Sequence, residues 1–298
     1  MRQSAVPAGA RPPVARVAAI HDLSGFGRCS LGVVLPVLAS MDIQCCALPT
    51  GFFSSHTGYD GFFFHNMTDA MRPTVNHWQS LGLTFDAVYS GFLGSADQIG
   101  IVRETIARFR RPGMLAVVDP VMGDHGRPYR TYTAEMCRQM GSLADDADLI
   151  TPNITEAALL LGENYADAPR DEAGVHGWLA RLSRDGRRSV VITGLTVREG
   201  RLGSAWLDAA SGRSGIDFRP FVGQEFHGTG DLYASVLVGR LLHGLSLPDA
   251  VASAAGFVHD CAALSWAEQT SPQSGVRFEA LLSNLGVGPI DPTRPDLA

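Results

Sequence analysis

Six short β-branched or apolar runs, each followed by an amphipathic stretch, constrain this chain more than any other feature. The runs fall at 14–20, 44–48, 87–89, 115–119, 149–151 and 190–193, and helical periodicity falls at about 30–40, 66–81, 96–109, 134–143, 154–161 and 171–185. A strand that must pass through a helix before the next strand begins is joined by a crossover, and crossovers give parallel strands with helices on both faces. The expectation is an α/β fold, a doubly wound and mainly parallel sheet. After Thr193 the segments shorten, around 203–207 and 216–221, which predicts antiparallel additions at one sheet edge. Helical stretches near 231–243, 248–266 and 278–285 complete the pattern.

With 298 residues, 45% of them hydrophobic, the chain has material for one large core. No Ser/Gly-rich or charge-rich linker divides it, so a single domain over 14–290 is expected, between frayed tails at 1–13 and 291–298. A net charge of −6 without any basic run argues against a nucleic-acid partner. No apolar stretch is long enough to span a bilayer and no signal-peptide pattern opens the chain, so a cytoplasmic protein without a membrane partner is expected. The five cysteines, Cys29, Cys45, Cys46, Cys137 and Cys261, lack CxxC spacing and read as reduced thiols in apolar surroundings. All 24 basic residues are arginine, and no lysine occurs anywhere. Phosphate chemistry in such a chain must use Arg, backbone N–H groups and metal ions.

Ligands bind beyond the carboxyl ends of the strands in open α/β sheets. Here those positions read HDLSGFG, PTGFFSSHTG, SGFLGS, DPVMGDHG, TPNITE and TGL. The sharpest element is Gly228-Thr229-Gly230-Asp231, directly before the apolar run LYASVLVGRLL. Its glycines let the backbone approach a ligand, the helix start offers unpaired N–H groups, and Asp231 can take a proton from a substrate hydroxyl. The tetrapeptide alone leaves an ordinary loop with a helix-favouring Asp equally open. Asp119 and Asp124, at the ends of DPVMGD, could serve Mg²⁺. Asn153 and Glu156 share the start of a helix, and on their own an N-cap with an acidic residue three positions on accounts for them. Their convergence with Asp231 at one sheet edge favours a role at ATP phosphates.

The stretches HDLSGFGRCS (21–30), FSSHTGY (53–59), YSGFLGS (89–95), DPVMGD (119–124), TPNITEA (151–157), VVITG (190–194) and GTGDLYAS (228–235) resemble those of the pyridoxal/pyridoxamine kinases of the ribokinase superfamily. The resemblance runs from about residue 21 to 282 and implies ATP-dependent phosphorylation of a vitamin B6 hydroxymethyl group. It implies Asp231 as base, with Gly228, Thr229 and Gly230 as the anion hole. ATP would meet Asp119, Asn153, Glu156 and Thr193. The metal residues would be Asp124 and Glu156 for Mg²⁺ and Thr151 for a monovalent cation, K⁺ or Na⁺. His21, Asp22, Phe53, Thr57, Phe92 and Asp231 would contact the B6 vitamer, the loop 124–132 would close over it, and the enzyme would be a homodimer.

Two positions depart from that pattern. Phe92 stands where many such kinases have Tyr, and His21-Asp22 replaces a common Ser-His, which leaves the preference among pyridoxal, pyridoxine and pyridoxamine open. His56 and the run Phe62-Phe63-Phe64 read as structural, and Arg127 and Arg130 as solvated flap residues. The pyrimidine kinase of thiamine synthesis shares the fold and an HTG-like loop but often has Cys at the position of Asp231. A non-catalytic binding protein of the same fold is the remaining alternative.

Overall fold

A computed structural model describes residues 14–129 and 132–286. In chain order the described elements are β1 (Arg16–Ser24), α1 (Leu31–Ser40), β2 (Gln44–Phe53), β3 (Phe64–Asn66), α2 (Thr68–Ser80), β4 (Ala87–Ser90), α3 (Ala96–Phe109), β5 (Leu115–Val118), β6 (Gly123–Asp124), β7 (Arg127–Pro128), α4 (Ala134–Asp145), β8 (Leu149–Ile150), α5 (Ile154–Leu161), α6 (Glu172–Leu182), β9 (Ser189–Leu195), β10 (Arg201–Leu207), β11 (Ser214–Pro220), α7 (Thr229–Leu242) and α8 (Leu247–Ala267). The expected tails at 1–13 and 291–298, the domain end at 290 and Arg130 lie outside the described residues.

The main sheet has the order β11-β10-β9-β8-β5-β4-β1-β2-β3. Its six middle strands, from β9 to β2, are parallel. The antiparallel additions expected at one edge are β10 and β11. The opposite edge carries a further antiparallel strand, β3, paired with the end of β2. Three residues of FHN are too short for a strand pattern to register in sequence.

Side-chain alternation sorts each parallel strand between two cores. In β1, Ala18 and Ile20 join the core under α2–α6, whereas Val17 and Ala19 join the core under α1, α7 and α8. Val88, Val118 and Ile150 repeat the first side, and Tyr89, Val117 and Leu149 the second. Burial on both faces explains why these strands read as continuous apolar runs. The stretch expected as a helix at 278–285 is a 3-10 helix, Glu279–Leu285, pinned by buried Phe278 and Leu285.

The largest departure from the expected boundaries positions the site. β1 continues through His21, Asp22, Leu23 and Ser24, past its last pair with β4, Ile20↔Ser90. β2 continues with it to Phe53, and the register between them shifts after His21↔Pro49, resuming at Leu23↔Phe52. Pro49 has no N–H to give the ladder, so an irregularity with one extra residue on β2 falls there. The polar residues read as a loop are therefore the far end of a wall, β1-β2-β3, that rises beside the shorter strands β4, β5 and β8.

Candidate active site

Helix α7 supplies the floor of the site. Gly228 is its N-cap, with φ 77° and no side-chain cap. A Cβ on Gly228 would lie 1.8 Å from the Arg28 carbonyl oxygen, so only glycine fits. Thr229 donates its hydroxyl to the Phe226 carbonyl at 3.2 Å, which fixes the turn. Gly230 is different in kind: a Cβ there would meet nothing within 4 Å. Its bareness leaves the first-turn N–H groups open to an anion.

Asp231, in that first turn, accepts a hydrogen bond from the Ser30 N–H at 2.8 Å. The Ser30 hydroxyl in turn donates to Asp22 at 2.5 Å, and Ser24 donates to the other oxygen of Asp22 at 3.3 Å. Burial pushes the Asp231 carboxyl up to about 6, against the pull of the Ser30 N–H. Burial pushes Asp22 up to about 7, opposed by the Ser30 hydroxyl and reinforced by the charge of Asp231. Asp119, just past β5, is raised by burial and then by Asp231, with the buried Thr151 hydroxyl beside it offsetting part of the rise.

Asn153 and Glu156 form the reciprocal cap that their spacing suggested. Glu156 donates its N–H to the Asn153 side chain at 2.9 Å, and the Glu156 carboxylate accepts from the Asn153 N–H at 2.9 Å. The same carboxylate also accepts from the Met122 N–H at 3.1 Å, and Asn153 donates to the Gly123 carbonyl at 2.9 Å. Gly126 donates to the Thr155 hydroxyl at 2.9 Å. The start of α5 is thus the anchor of the β6–β7 hairpin. Glu156 is raised by burial and by Asp119 despite its two N–H donors.

Asp124 sits on the hairpin with an exposed carboxylate that accepts from the His125 N–H at 2.8 Å. The His125 ring, at the hairpin tip, lies 3.4 Å from Glu225 in the loop that leads to Gly228. Among the described residues no three His, Cys, Asp or Glu side chains are grouped to hold a metal, so Asp124, Thr151 and Glu156 do not form a preformed cage. A recess of carboxyls whose ionisation is suppressed by burial and mutual repulsion still suits a cation whose remaining ligands are water and phosphate.

The expected vitamer contacts divide into two layers. His21 has no accessible surface, lies edge-on to Tyr89 at 4.3 Å between ring centroids, and is kept neutral because burial lowers it to about 3. A Cβ on Gly91 would stand 2.3 Å from its Nδ1, so the buried His21 ring backs the loop after β4. The extension of β1 is the reason. Phe53 is buried, stacked on Phe64 at 4.4 Å and edge-on to Phe92 at 5.6 Å. Phe92 meets Tyr132, which precedes α4, at 6.2 Å between ring centroids. Thr57 is exposed, and Thr193 is half-buried with its N–H on the Pro152 carbonyl at 3.0 Å. His56 is satisfied: Gly58 donates to its Nδ1 at 3.0 Å, so Nε2 carries the proton to the Gln273 carbonyl at 2.6 Å.

Three residues at the site escaped the sequence reading. Ser30 lay inside a quoted motif, but its contacts depend on a positive φ that no pattern reveals. Gln98, fully buried in α3, donates to the Thr50 carbonyl at 2.7 Å and accepts from the Gly94 N–H at 2.7 Å, tying the far part of β2 to the loop after β4. Tyr129, on the hairpin, has its phenol raised by burial and by the charges of Glu156, Asp124, Asp231 and Asp119.

A mainly parallel sheet of this order, with a glycine-cradled helix end and a carboxylate in its first turn, defines a small-molecule kinase of the ribokinase-like class. The profile of the phosphomethylpyrimidine kinase family matches residues 77–275, and the chain belongs to that family. The pyridoxine/pyridoxal/pyridoxamine kinase of Bordetella avium is 29% identical over 84% of this chain and 86% of that protein. A Bacteroides thetaiotaomicron protein assigned as a phosphomethylpyrimidine kinase, crystallised with pyridoxal, superposes with a TM-score of 0.87 at 40% identity, covering 91% of this chain and 96% of that one. The pyridoxal kinase of Lactobacillus plantarum superposes at 0.83 with 31% identity, over 91% and 96% of the two chains.

The two glycines of the α7 loop are separable by thermal unfolding. Gly228→Ala is expected to lower the midpoint by about 5 °C or more, because the clash is with backbone, while Gly230→Ala stays within about 2 °C of the parent. Equal losses in the two variants would contradict the distinction.

Proposed function

We propose that the protein transfers the γ-phosphoryl group of ATP to the 5′-hydroxymethyl oxygen of pyridoxal, pyridoxine or pyridoxamine. In this reading the hydroxyl proton passes to Asp231, the new O–P bond forms as the bond between γ-phosphorus and the β,γ-bridging oxygen breaks, and ADP leaves. The observation that carries it is the Asp231 carboxylate in the first turn of α7, beside N–H groups that no side chain caps. Those N–H groups, around Gly228, Thr229 and Gly230, would hold the charge of the transferred group. Support for the vitamer comes from the relatives that bear the B6 kinase name and from the neighbour crystallised with pyridoxal.

Asp119, Asn153, Glu156 and Thr193 are assigned to the nucleotide side. Mg²⁺ would be held by Asp124 and Glu156 with phosphate oxygens, and it would neutralise charge that a lysine-free site cannot neutralise with an ammonium. A monovalent cation is assigned to Thr151. Asp22, Phe53, Thr57 and Phe92 are assigned to the vitamer side, with His21 supporting Gly91 from beneath. The β6–β7 hairpin, bolted to α5, would exclude water from the transfer. No described helix is long and apolar enough to cross a membrane. A homodimeric state rests on the resemblance that suggested it, and cytoplasmic location on the sequence expectation alone.

With Mg-ATP and each B6 vitamer, Asp231→Asn is expected to lose about a hundredfold or more in kcat while still binding ATP. The base must be ionised to act, so kcat/KM of the parent should fall as pH drops through about 6, the value to which burial brings Asp231. Full turnover in Asp231→Asn would remove Asp231 from the role of base. Turnover confined to hydroxymethylpyrimidine would move the substrate to the thiamine branch.

Pyridoxal and its phosphate form aldimines with lysine amines, and this chain offers none. Borohydride reduction in the presence of excess product should leave no pyridoxyl adduct on any internal residue by peptide mass mapping. An internal adduct would contradict this expectation.

A further inference from the structure

Serine is favoured as a helix N-cap because its hydroxyl can accept from a first-turn N–H. Ser30 is the N-cap of α1, yet it makes no such bond, and its backbone sits at φ 47°, ψ −135°, a region that glycine visits far more readily than serine. The surrounding chain holds it there. A Cβ on Gly27 would stand 2.1 Å from the His56 ring, and the Arg28 carbonyl presses on Gly228. The Arg28 guanidinium is fixed to Glu279 at 2.6 Å and to the Ser274 carbonyl at 3.2 Å.

Strain of this kind persists where the surroundings over-determine it, and here it aims two groups at once. The N–H points at Asp231 at 2.8 Å, and the hydroxyl, diverted from capping, points at buried Asp22 at 2.5 Å. The titratable groups that face Asp231 are Asp22 from β1, Cys29 from the β1–α1 loop, Tyr89 from β4, Asp119 beyond β5 and Tyr129 from the hairpin. All are acids, and none donates a hydrogen bond to it. The Ser30 N–H is the group that favours the ionised form of Asp231.

We propose that Ser30 is a positioning residue for the phosphoryl transfer: its N–H fixes the Asp231 carboxylate, and its hydroxyl, anchored on Asp22, keeps the backbone in the one conformation that aims this N–H. The proposal rests on the reading of Asp231 as the base. It makes Asp22 a support for the catalytic turn as well as a group beside the substrate.

The test compares kcat/KM against pH for the parent, Ser30→Ala and Ser30→Gly, with thermal midpoints alongside. Alanine keeps the N–H but loses the anchor and relaxes from the strained conformation. The acid limb of its profile should move up by about one pH unit, giving a several-fold loss at pH 6 that shrinks above pH 8. Glycine adopts the conformation without an anchor, so its acid limb should stay with the parent's. An Ala variant with the parent's acid limb, whether or not it is uniformly slower, overturns the proposal, as does a Gly variant that shifts as far as Ala. The ¹³C titration of the Asp231 carboxyl, assigned through Asp231→Asn, reads the same shift without turnover. A parent without kinase activity would sink the functional reading, and that titration would still decide whether Ser30 holds the carboxylate.

Discussion

Four carboxyl groups, Asp22, Asp119, Glu156 and Asp231, are brought by their strands and helices within electrostatic reach of one another, Asp231 acting on Asp22 and Asp119, and Asp119 on Glu156. Burial comes first among the causes that raise each of them, and the charge of a neighbour adds to the rise for Asp22, Asp119 and Glu156. A carboxyl whose folded value is raised binds its proton more tightly in the folded state, so its contribution to stability is lost as pH rises through the raised value; for Asp22 that loss runs up to about 7. The fold carries this cost at its carboxyl edge. With no lysine in the chain, and with Arg28 engaged by Glu279, the charge is relieved by protons, N–H groups or cations that arrive with the ligand.

The rest of the architecture can be understood as support for that edge. Two cores, one on each face of the parallel strands, make the strand ends rigid. Hydrogen bonds from buried polar side chains then lock the strand ends to each other: Gln98 joins the far part of β2 to the loop after β4, and the α5 cap joins the end of β8 to the hairpin. Ser30 and Gly228 join the first loop to α7. Each loop is held by a different neighbour. The base is consequently fixed by a contact from a residue 201 positions away in sequence.

The parallel sheet was legible because both-face burial writes continuous apolar runs, and the helices at Ala96–Phe109 and Ile154–Leu161 match the expected spans residue for residue. The Asn153–Glu156 cap was legible for a different reason, being a local pattern of two residues three positions apart. What failed to show was non-local. The extension of β1 beyond Ile20 depends on pairing with β2, so His21 read as a loop residue at the substrate surface and is a buried strand residue behind Gly91. β3 is held by its partner and not by its own pattern. Gln98 lay inside the helical stretch 96–109 and Ser30 at the start of the stretch 30–40, with nothing local to single them out; their roles arise from partners 48 and 201 positions away.

The most direct measurement is ³¹P NMR of a reaction containing the protein, Mg-ATP and pyridoxal. The account predicts one phosphomonoester resonance, coupled to the 5′-methylene protons, appearing in equal amount to ADP. Inorganic phosphate in place of the ester, or ATP left intact, would contradict it.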